Sequence, residues 1–358
     1  MSRHVRTWMT AIAGALLIGA AAAQDTFYSS SSNIELLVAA GTGGGGDTMA
    51  RFVAPYLSQH TPGNPNIIIN NVPGGGSLLG SNQFALQTPS DGLHMWQGFG
   101  SNVFPYVLGQ AGVMYDIADY QAIVGEATGA VVYVSAATGI QTAADLLDSD
   151  VQLVFAGQNA AGFDLGTILS FELLGIDVQS VIGYGGRGPA RVAWESGESN
   201  INYDSGPPYL TFVQPLIDEG QAYALYTVGL IDDAGNLVRD PVFPDLPTTA
   251  EVYEELYGEP PSGEVWEAYK TIIGLFAIFR TFWVKADVPE EALAALREGS
   301  RSMVQDPEFL AEREELFGTY PIFDGEYVQA TFDTVMSVDP ATIAWIQNYL
   351  TENFDVQF

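Results

Sequence analysis

Two glycine-rich segments hold the residues whose types and spacing bear most directly on chemistry: Gly41-Thr42-Gly43-Gly44-Gly45-Gly46-Asp47 and Pro73-Gly74-Gly75-Gly76-Ser77. Successive glycines let backbone N–H groups converge at the positive end of a following helix, which holds a carboxylate as readily as a phosphate. The first segment also satisfies G-x-G-x-x-G, the spacing of a dinucleotide cradle. Such a cradle needs an acid about 20 residues on for the ribose, and the next strand ends in Ile69-Asn70-Asn71-Val72 without one. No Gly-Lys-Ser/Thr follows either, so a phosphate would lack the lysine of a P-loop. A nucleotide-dependent α/β enzyme using Gly41 to Gly46 stands as the alternative, and glycines that only make the turn are the plain one.

Other chemistry is sparse. Past residue 23 the only histidines are His60 and His94, with no H-E-x-x-H and no metal-ligand cluster around them. Gly98-Phe99-Gly100-Ser101-Asn102 lacks the G-x-S-x-G elbow. With no cysteine anywhere, disulfides, thiol catalysis and a lipid-modified cysteine at a signal cleavage point are excluded. We therefore expect no catalytic residues, no metal and no cofactor.

The elements that must position the two loops are legible from periodicity. Ile34 to Ala40 is a buried-strand run, and Asp47 to Gln59 carries Met49, Phe52, Val53, Tyr56 and Leu57 at helical spacing. Asn66 to Val72 then reads as a strand and Leu78 to Leu86 as a helix, and this repeated βα order predicts a parallel sheet. Strands are predicted at 131–134, 152–155, 180–183, 199–204 and 222–228, with helices at 142–147, 166–174 and 188–196 between them. A second α/β unit is thus expected at about 126–227. Thr271 to Val284, an apolar run interrupted by Arg280, reads as core strand. Helices at 289–304, 307–317 and 340–352 each have proline in the first turn, and we place them on the first unit, whose small sheet would otherwise have bare faces. The expected division is residues 24–125 with 228–358 as one lobe and 126–227 as the other.

Lys+Arg total 12 against 43 Asp+Glu, a net charge of −31, and so anionic a surface repels nucleic acid. Lys270 and Lys285 are the only lysines, and the carboxylates are scattered along the chain. That suits a halophilic, salt-adapted surface; a merely acidic protein is the alternative. Arg3, His4 and Arg6, the apolar run Trp8 to Ala20, and Ala21-Ala22-Ala23 before Gln24 read as a secretory signal peptide. Its removal takes two arginines and no acid, so the exported chain, expected in the periplasm, becomes more acidic still.

The run from Ile34 through Gly80 resembles the substrate-binding receptors of tripartite tricarboxylate transporters, the Bug receptors. It has a strand, G-G-x-x-D with Arg51 after it, a second strand, then Asn70-Asn71-Val72-Pro73-Gly74-Gly75-Gly76 and Gly80. Further on, Pro89-Ser90-Asp91-Gly92 resembles the family's P-D-G turn, Tyr184-Gly185-Gly186-Arg187-Gly188-Pro189-Ala190 its Y-x-G-x-x-P-A segment, and Phe243 to Glu251 its P-D-x-P-T-x-x-E. These motifs run collinearly over about residues 32–320. The resemblance implies a two-lobed α/β periplasmic binding protein, type II-like, each lobe a mostly parallel sheet flanked by helices, with a ligand cleft at the hinge. It implies a monomeric receptor that closes on a small organic carboxylate and delivers it to membrane permease subunits; a sensor kinase is the alternative partner.

By position, the resemblance places first-lobe contacts at Gly43, Gly44, Gly45, Gly46, Asp47, Thr48, at Pro73, Gly74, Gly75, Gly76, Ser77, and at Ser101 and Asn102. Second-lobe contacts fall at Ala161, Gly162, Phe163, Asp164, at Tyr184, Gly186, Arg187, and at Asp204. The chain departs from the family where Ala161 to Asp164 replace small hydroxyl residues and Gly185 replaces a lysine. An aspartate and a phenylalanine there suit a ligand with an aromatic body, a hydroxyl or an amine. Alternatively, Asp164 only caps the helix beginning near Gly166, and Glu251 only starts a helix.

Overall fold

Ile34, Leu36, Leu37 and Val38 are all buried in strand β1 (Asn33–Val38), which must therefore be covered on both faces. Its neighbours β2 (Asn66–Asn71) and β3 (His94–Phe99) run parallel to it, and helices α1 (Gly45–His60), α2 (Leu78–Gln87) and α3 (Gly100–Val107) follow the three strands in turn. The helix after β2 lies close to β1: a Cβ on Gly80 would stand 2.6 Å from the Val72 carbonyl and 3.1 Å from the Ala39 Cα, so only glycine fits. This computed structural model describes residues 26–42, 45–232, 235–336 and 338–358. The expected signal peptide, Gly43 and Gly44 lie outside the described residues.

Strand β4 (Tyr120–Glu126) ends where the chain crosses through Ala127 to Gly129 into β5 (Ala130–Ser135), the first strand of a second sheet. That sheet is completed by α4 (Asp145–Asp148), β6 (Leu153–Gly157), α5 (Asp164–Leu174), β7 (Val178–Ile182), α6 (Arg187–Glu195) and β8 (Ile201–Ser205). After it come α7 (Gly206–Pro208), a π-helical turn at Tyr209–Val213, α8 (Gln214–Asp218) and β9 (Ala222–Thr227). A small ribbon of β10 (Leu230–Ile231) and β11 (Leu237–Val238) precedes α9 (Thr249–Tyr257) and α10 (Glu264–Gly274). The chain then re-enters the first sheet as β12 (Arg280–Lys285) and ends with α11 (Glu290–Met303), α12 (Pro307–Phe317), β13 (Ile322–Asp324), α13 (Gly325–Val335) and α14 (Pro340–Phe354).

The first sheet has the order β13-β4-β12-β3-β1-β2 and the second β7-β6-β8-β5-β9. The two-lobed α/β fold is as expected, with both sheets mixed. The reason lies in the crossings: β5 and β12 each enter a sheet from the hinge side, so each starts at the end where its neighbours finish. Arg280, first in β12, accordingly pairs with Phe99 and Glu126, the last residues of β3 and β4. Ala130, first in β5, likewise pairs with Ser205, the last of β8. The run Thr271 to Val284 is a correction: its first part closes α10, Leu275–Ile278 forms a 3-10 turn, and only β12 is strand. Periodicity cannot separate helix from strand in a continuous apolar run.

Helix α11 packs against α1 and β4 and α13 against β4, while α9 and α10 lie on α5, and α14 lies on α10. Two glycines at the crossing admit no side chain. A Cβ on Gly129 would stand 1.9 Å from Asp240 Oδ2, and one on Gly206 would stand 2.0 Å from the Tyr320 ring. Tyr320 donates to that buried Asp240 carboxylate at 2.5 Å, which ties the crossing to the segment after α12.

Candidate functional site

The ends of β1, β2 and β3 in the first sheet and of β6, β7 and β8 in the second face a cleft of about 760 Å³, and the loops and helix starts after them form its wall together with the start of β12. Open α/β sheets bind ligands at this place, outside the carboxyl ends of their strands. After β1, Ala39 to Thr42 lead to Gly45, where α1 begins and its first N–H groups lack partners within the helix. Gly46 packs on Phe99: a Cβ would stand 2.2 Å from the ring, so glycine lets α1 start directly above the end of β3. Asp47 and Thr48, expected as contacts, sit in the first turn of α1 and do not line the cleft. Asp47 is buried and bound by Arg51 at 2.9 Å, the i,i+4 partner one turn on.

All of Pro73 to Ser77 line the cleft. Four successive residues there have positive φ: Gly74 133°, Gly75 57°, Gly76 62° and Ser77 80°. Three can be glycine at no steric cost, but Ser77 needs outside support. Asn102 supplies it, donating to the Ser77 carbonyl at 3.1 Å and to Ser81 Oγ at 2.7 Å while accepting from the Phe99 N–H at 2.7 Å. Asn102 is thus a fully buried positioning residue and not a wall residue, and Ser101 belongs to the first turn of α3.

In the second sheet, Ala161 and Gly162 are buried in the turn before α5, whereas Phe163 and Asp164 reach the cleft. Asp164 accepts from the N–H groups of Gln158 and Asn159 at 2.6 and 2.8 Å, from Tyr203 Oη at 2.6 Å and from Arg187 Nη1 at 3.2 Å. Four donors occupy both oxygens of a carboxylate 2% exposed, so Asp164 organises the wall and leaves no acceptor for a ligand amine. Gly186 caps α6, whose first residue Arg187 lines the cleft. The two terminal nitrogens of Arg187 donate to the Ala156 carbonyl, Asp164, Asn202 and the Tyr203 carbonyl, and its plane lies 3.9 Å from the Tyr203 ring centroid. Tyr184, also lining, directs its hydroxyl to Glu198. Asp204 is fully buried, accepting from Tyr133 Oη and Arg191 Nη1, both at 2.9 Å. Burial pushes its carboxyl above the ordinary range, against the pull of Arg187 and Arg191.

Sequence reasoning missed several wall residues. Arg191 lies one turn after Arg187 on α6, a spacing that could have exposed it, and its guanidinium covers Phe212 at 4.2 Å. Phe279 and Arg280 stand at the start of β12, and the lone charge in the run Thr271 to Val284 was the available signal. Phe163 meets Phe279 at 4.0 Å and Phe276 at 4.4 Å between centroids, an aromatic floor where the two sheets' segments touch. Across the mouth, a Cβ on Gly76 would stand 3.2 Å from Asn159 Nδ2. Among the described residues, no group of three His, Cys, Asp or Glu side chains is placed to hold a metal ion.

A cleft between two α/β lobes, walled by loops at strand ends and by helix starts, defines the fold of a periplasmic binding protein. No protein-family model and no curated protein sequence matches the chain. Solved structures do. The periplasmic binding protein BugD is 17% identical with a TM-score of 0.66, covering 91% of this chain and 99% of its own. Rpa4515 of R. palustris, solved with adipate, is 19% identical with a TM-score of 0.66, covering 91% and 98%. MatC from Rhodopseudomonas palustris, with bound malate, is 18% identical with a TM-score of 0.62, covering 86% and 98%. The chain has the fold of these proteins over nearly their whole length.

Proposed function

We propose that this chain is an extracytoplasmic solute-binding receptor of the Bug type, which captures a small organic carboxylate in the cleft and delivers it to the permease of a tripartite tricarboxylate transporter. The observation that carries this is the convergence of α1, the Pro73 to Ser77 turn and α6 on one cleft whose own aspartates are already paired. Helix starts and glycine turns attract an anion, and Asp164 and Asp204 offer it no unpaired charge. The collinear family motifs and the fold shared with binding proteins, two of them holding malate and adipate, support the same assignment.

In this assignment Gly45, Gly46 and Pro73 to Ser77 hold a carboxylate from the first lobe, formed by residues 24–125 and 228–358. The second lobe, 126–227, closes over it with Phe163, Tyr184 and the start of α6. Phe99, Phe163 and Phe279 receive an apolar ligand body. Neither catalysis nor a nucleotide enters, the location is periplasmic and the receptor is a monomer. Calorimetry with a panel of mono- and dicarboxylates tests it: micromolar or tighter binding of at least one is expected. Binding of none, or saturable micromolar binding of a nicotinamide or flavin nucleotide, would overturn it.

A further inference from the structure

Arg280 sits at the cleft floor, 4% exposed, with Nη1 2.8 Å from Oε2 of the fully buried Glu126. Replacing such a pair by apolar residues is often neutral or stabilising, so stability alone does not account for it. One oxygen of the pair, Glu126 Oε1, is buried without a hydrogen-bond partner among the described residues. The other guanidinium nitrogen, Nη2, faces both lobes. It donates to Ser205 Oγ, at the end of β8, over 3.3 Å, and a Cβ on Gly45 at the head of α1 would stand 2.8 Å from it. A guanidinium thus abuts the positive end of a helix, so an anion placed between them would meet donors of both.

The two other cleft arginines both lie on α6, whereas Arg280, over the Phe279 ring at 4.9 Å, stands at the head of α1. Arg187 has both terminal nitrogens committed within the second lobe, and Arg191 is bound to Asp204 and spread over Phe212. We propose that Arg280 is the cationic anchor of the cleft, binding an anionic group of the ligand at the head of α1 and, through Ser205, making that contact depend on the lobes meeting. This rests on the receptor assignment above. Glu126 holds the guanidinium in place and balances its charge when no ligand is present, so ligand and Glu126 share one cation.

The test is calorimetry of adipate and malate on the full chain and on three variants. Glu126→Gln frees the charge of Arg280, so the tighter-bound probe should bind at least threefold more tightly. Arg280→Lys keeps the pair but loses the fork that reaches Gly45 and Ser205, and should bind at least tenfold more weakly. Arg280→Gln with Glu126→Gln leaves no unpaired buried charge and should weaken binding at least as much. If this double variant does not fold, the lysine variant decides. Affinity within twofold of the parent in the Arg280 variants, or weaker binding in Glu126→Gln, overturns the anchor while leaving the receptor standing. A parent chain that binds no carboxylate at all overturns the receptor assignment, and the anchor with it.

Discussion

Arg187 and Asp164 divide the labour of the second wall: Asp164 gathers the donors of its loop, strand and helix start, and Arg187 is one of them. Asp164 was open to two uses, ligand contact or helix cap, because a carboxylate's role depends on which donors the fold turns toward it. Here Gln158, Asn159, Tyr203 and Arg187 all point at it, from one loop, one strand and one helix start. Arg187→Ala should therefore act first on stability. Breaking a buried pair costs about 3–5 kcal/mol, and we expect the lower end because three donors stay on Asp164. Denaturant unfolding measures it, and a loss under about 1 kcal/mol would contradict the buried network. Glu251 resolves simply: with Thr248 it forms a reciprocal cap, Thr248 N–H to Glu251 Oε2 at 2.8 Å and Glu251 N–H to Thr248 Oγ1 at 3.2 Å, so it starts α9 as the plain alternative had it.

A pH dependence belongs to the same scale. Burial raises the Asp240 carboxyl above its ordinary value, opposed by the Tyr320 hydroxyl and the Val242 N–H. A carboxyl raised in the folded state binds its proton more tightly there than in the unfolded chain, so its contribution is present at low pH and is lost as pH rises through the folded value. Between the ordinary aspartate value of about 3.9 and that raised value, acidification stabilises. Glu126 and Asp204, raised by burial as well, act in the same direction. Asp91, Asp145, Glu251 and Asp306, all lowered, act in the opposite one further down the scale. We expect the unfolding midpoint to rise as pH falls through the raised Asp240 value and the rise to shrink in Asp240→Asn; an unchanged slope in that variant would remove Asp240 as its source.

Among the elements, the Pro73 to Ser77 turn bears most directly on binding. Gly75 has φ 57°, which proline, fixed near −65°, cannot adopt. Gly75→Pro removes an N–H and rebuilds the turn, and we expect it to abolish carboxylate binding while the exposed position limits damage to the fold. Retained affinity would mean the carboxylate sits elsewhere. Elements with strong local signals were legible: glycine loops after strands, and proline-started helices such as α12, found at Pro307–Phe317 as expected. Those set by tertiary context were not. Nothing local in Arg280 to Lys285 says that it inserts between β3 and β4, and β13, three residues long, carries no pattern of its own. Arg280 was missed for that reason, since its role comes from the strand ends of Phe99 and Glu126 beside it.

The whole molecule carries a net charge of −31, yet the proposed function requires the cleft to attract an anion. Screening reconciles the two: the Debye length is about 8 Å at physiological ionic strength, so surface repulsion fades before it reaches the loops, where local donors decide. At about 0.01 M salt it lengthens to about 30 Å, and self-repulsion should destabilise the compact state. We expect the unfolding midpoint to climb steadily from low to molar salt; a flat profile would count against salt adaptation.

In the proposed function the cleft binds a carboxylate and nothing is converted there. A thermal-shift titration of the parent chain against matched carboxylates, their neutral amides and NAD tests it most directly, because a ligand that binds only the folded state stabilises by about 2.7 kcal/mol at 100 times its Kd. The account expects a rise in midpoint that grows with concentration for at least one carboxylate, disappears for its amide, is absent for NAD, and leaves the carboxylate chemically intact. A carboxylate panel without any shift, or a shift produced by NAD instead, would contradict it.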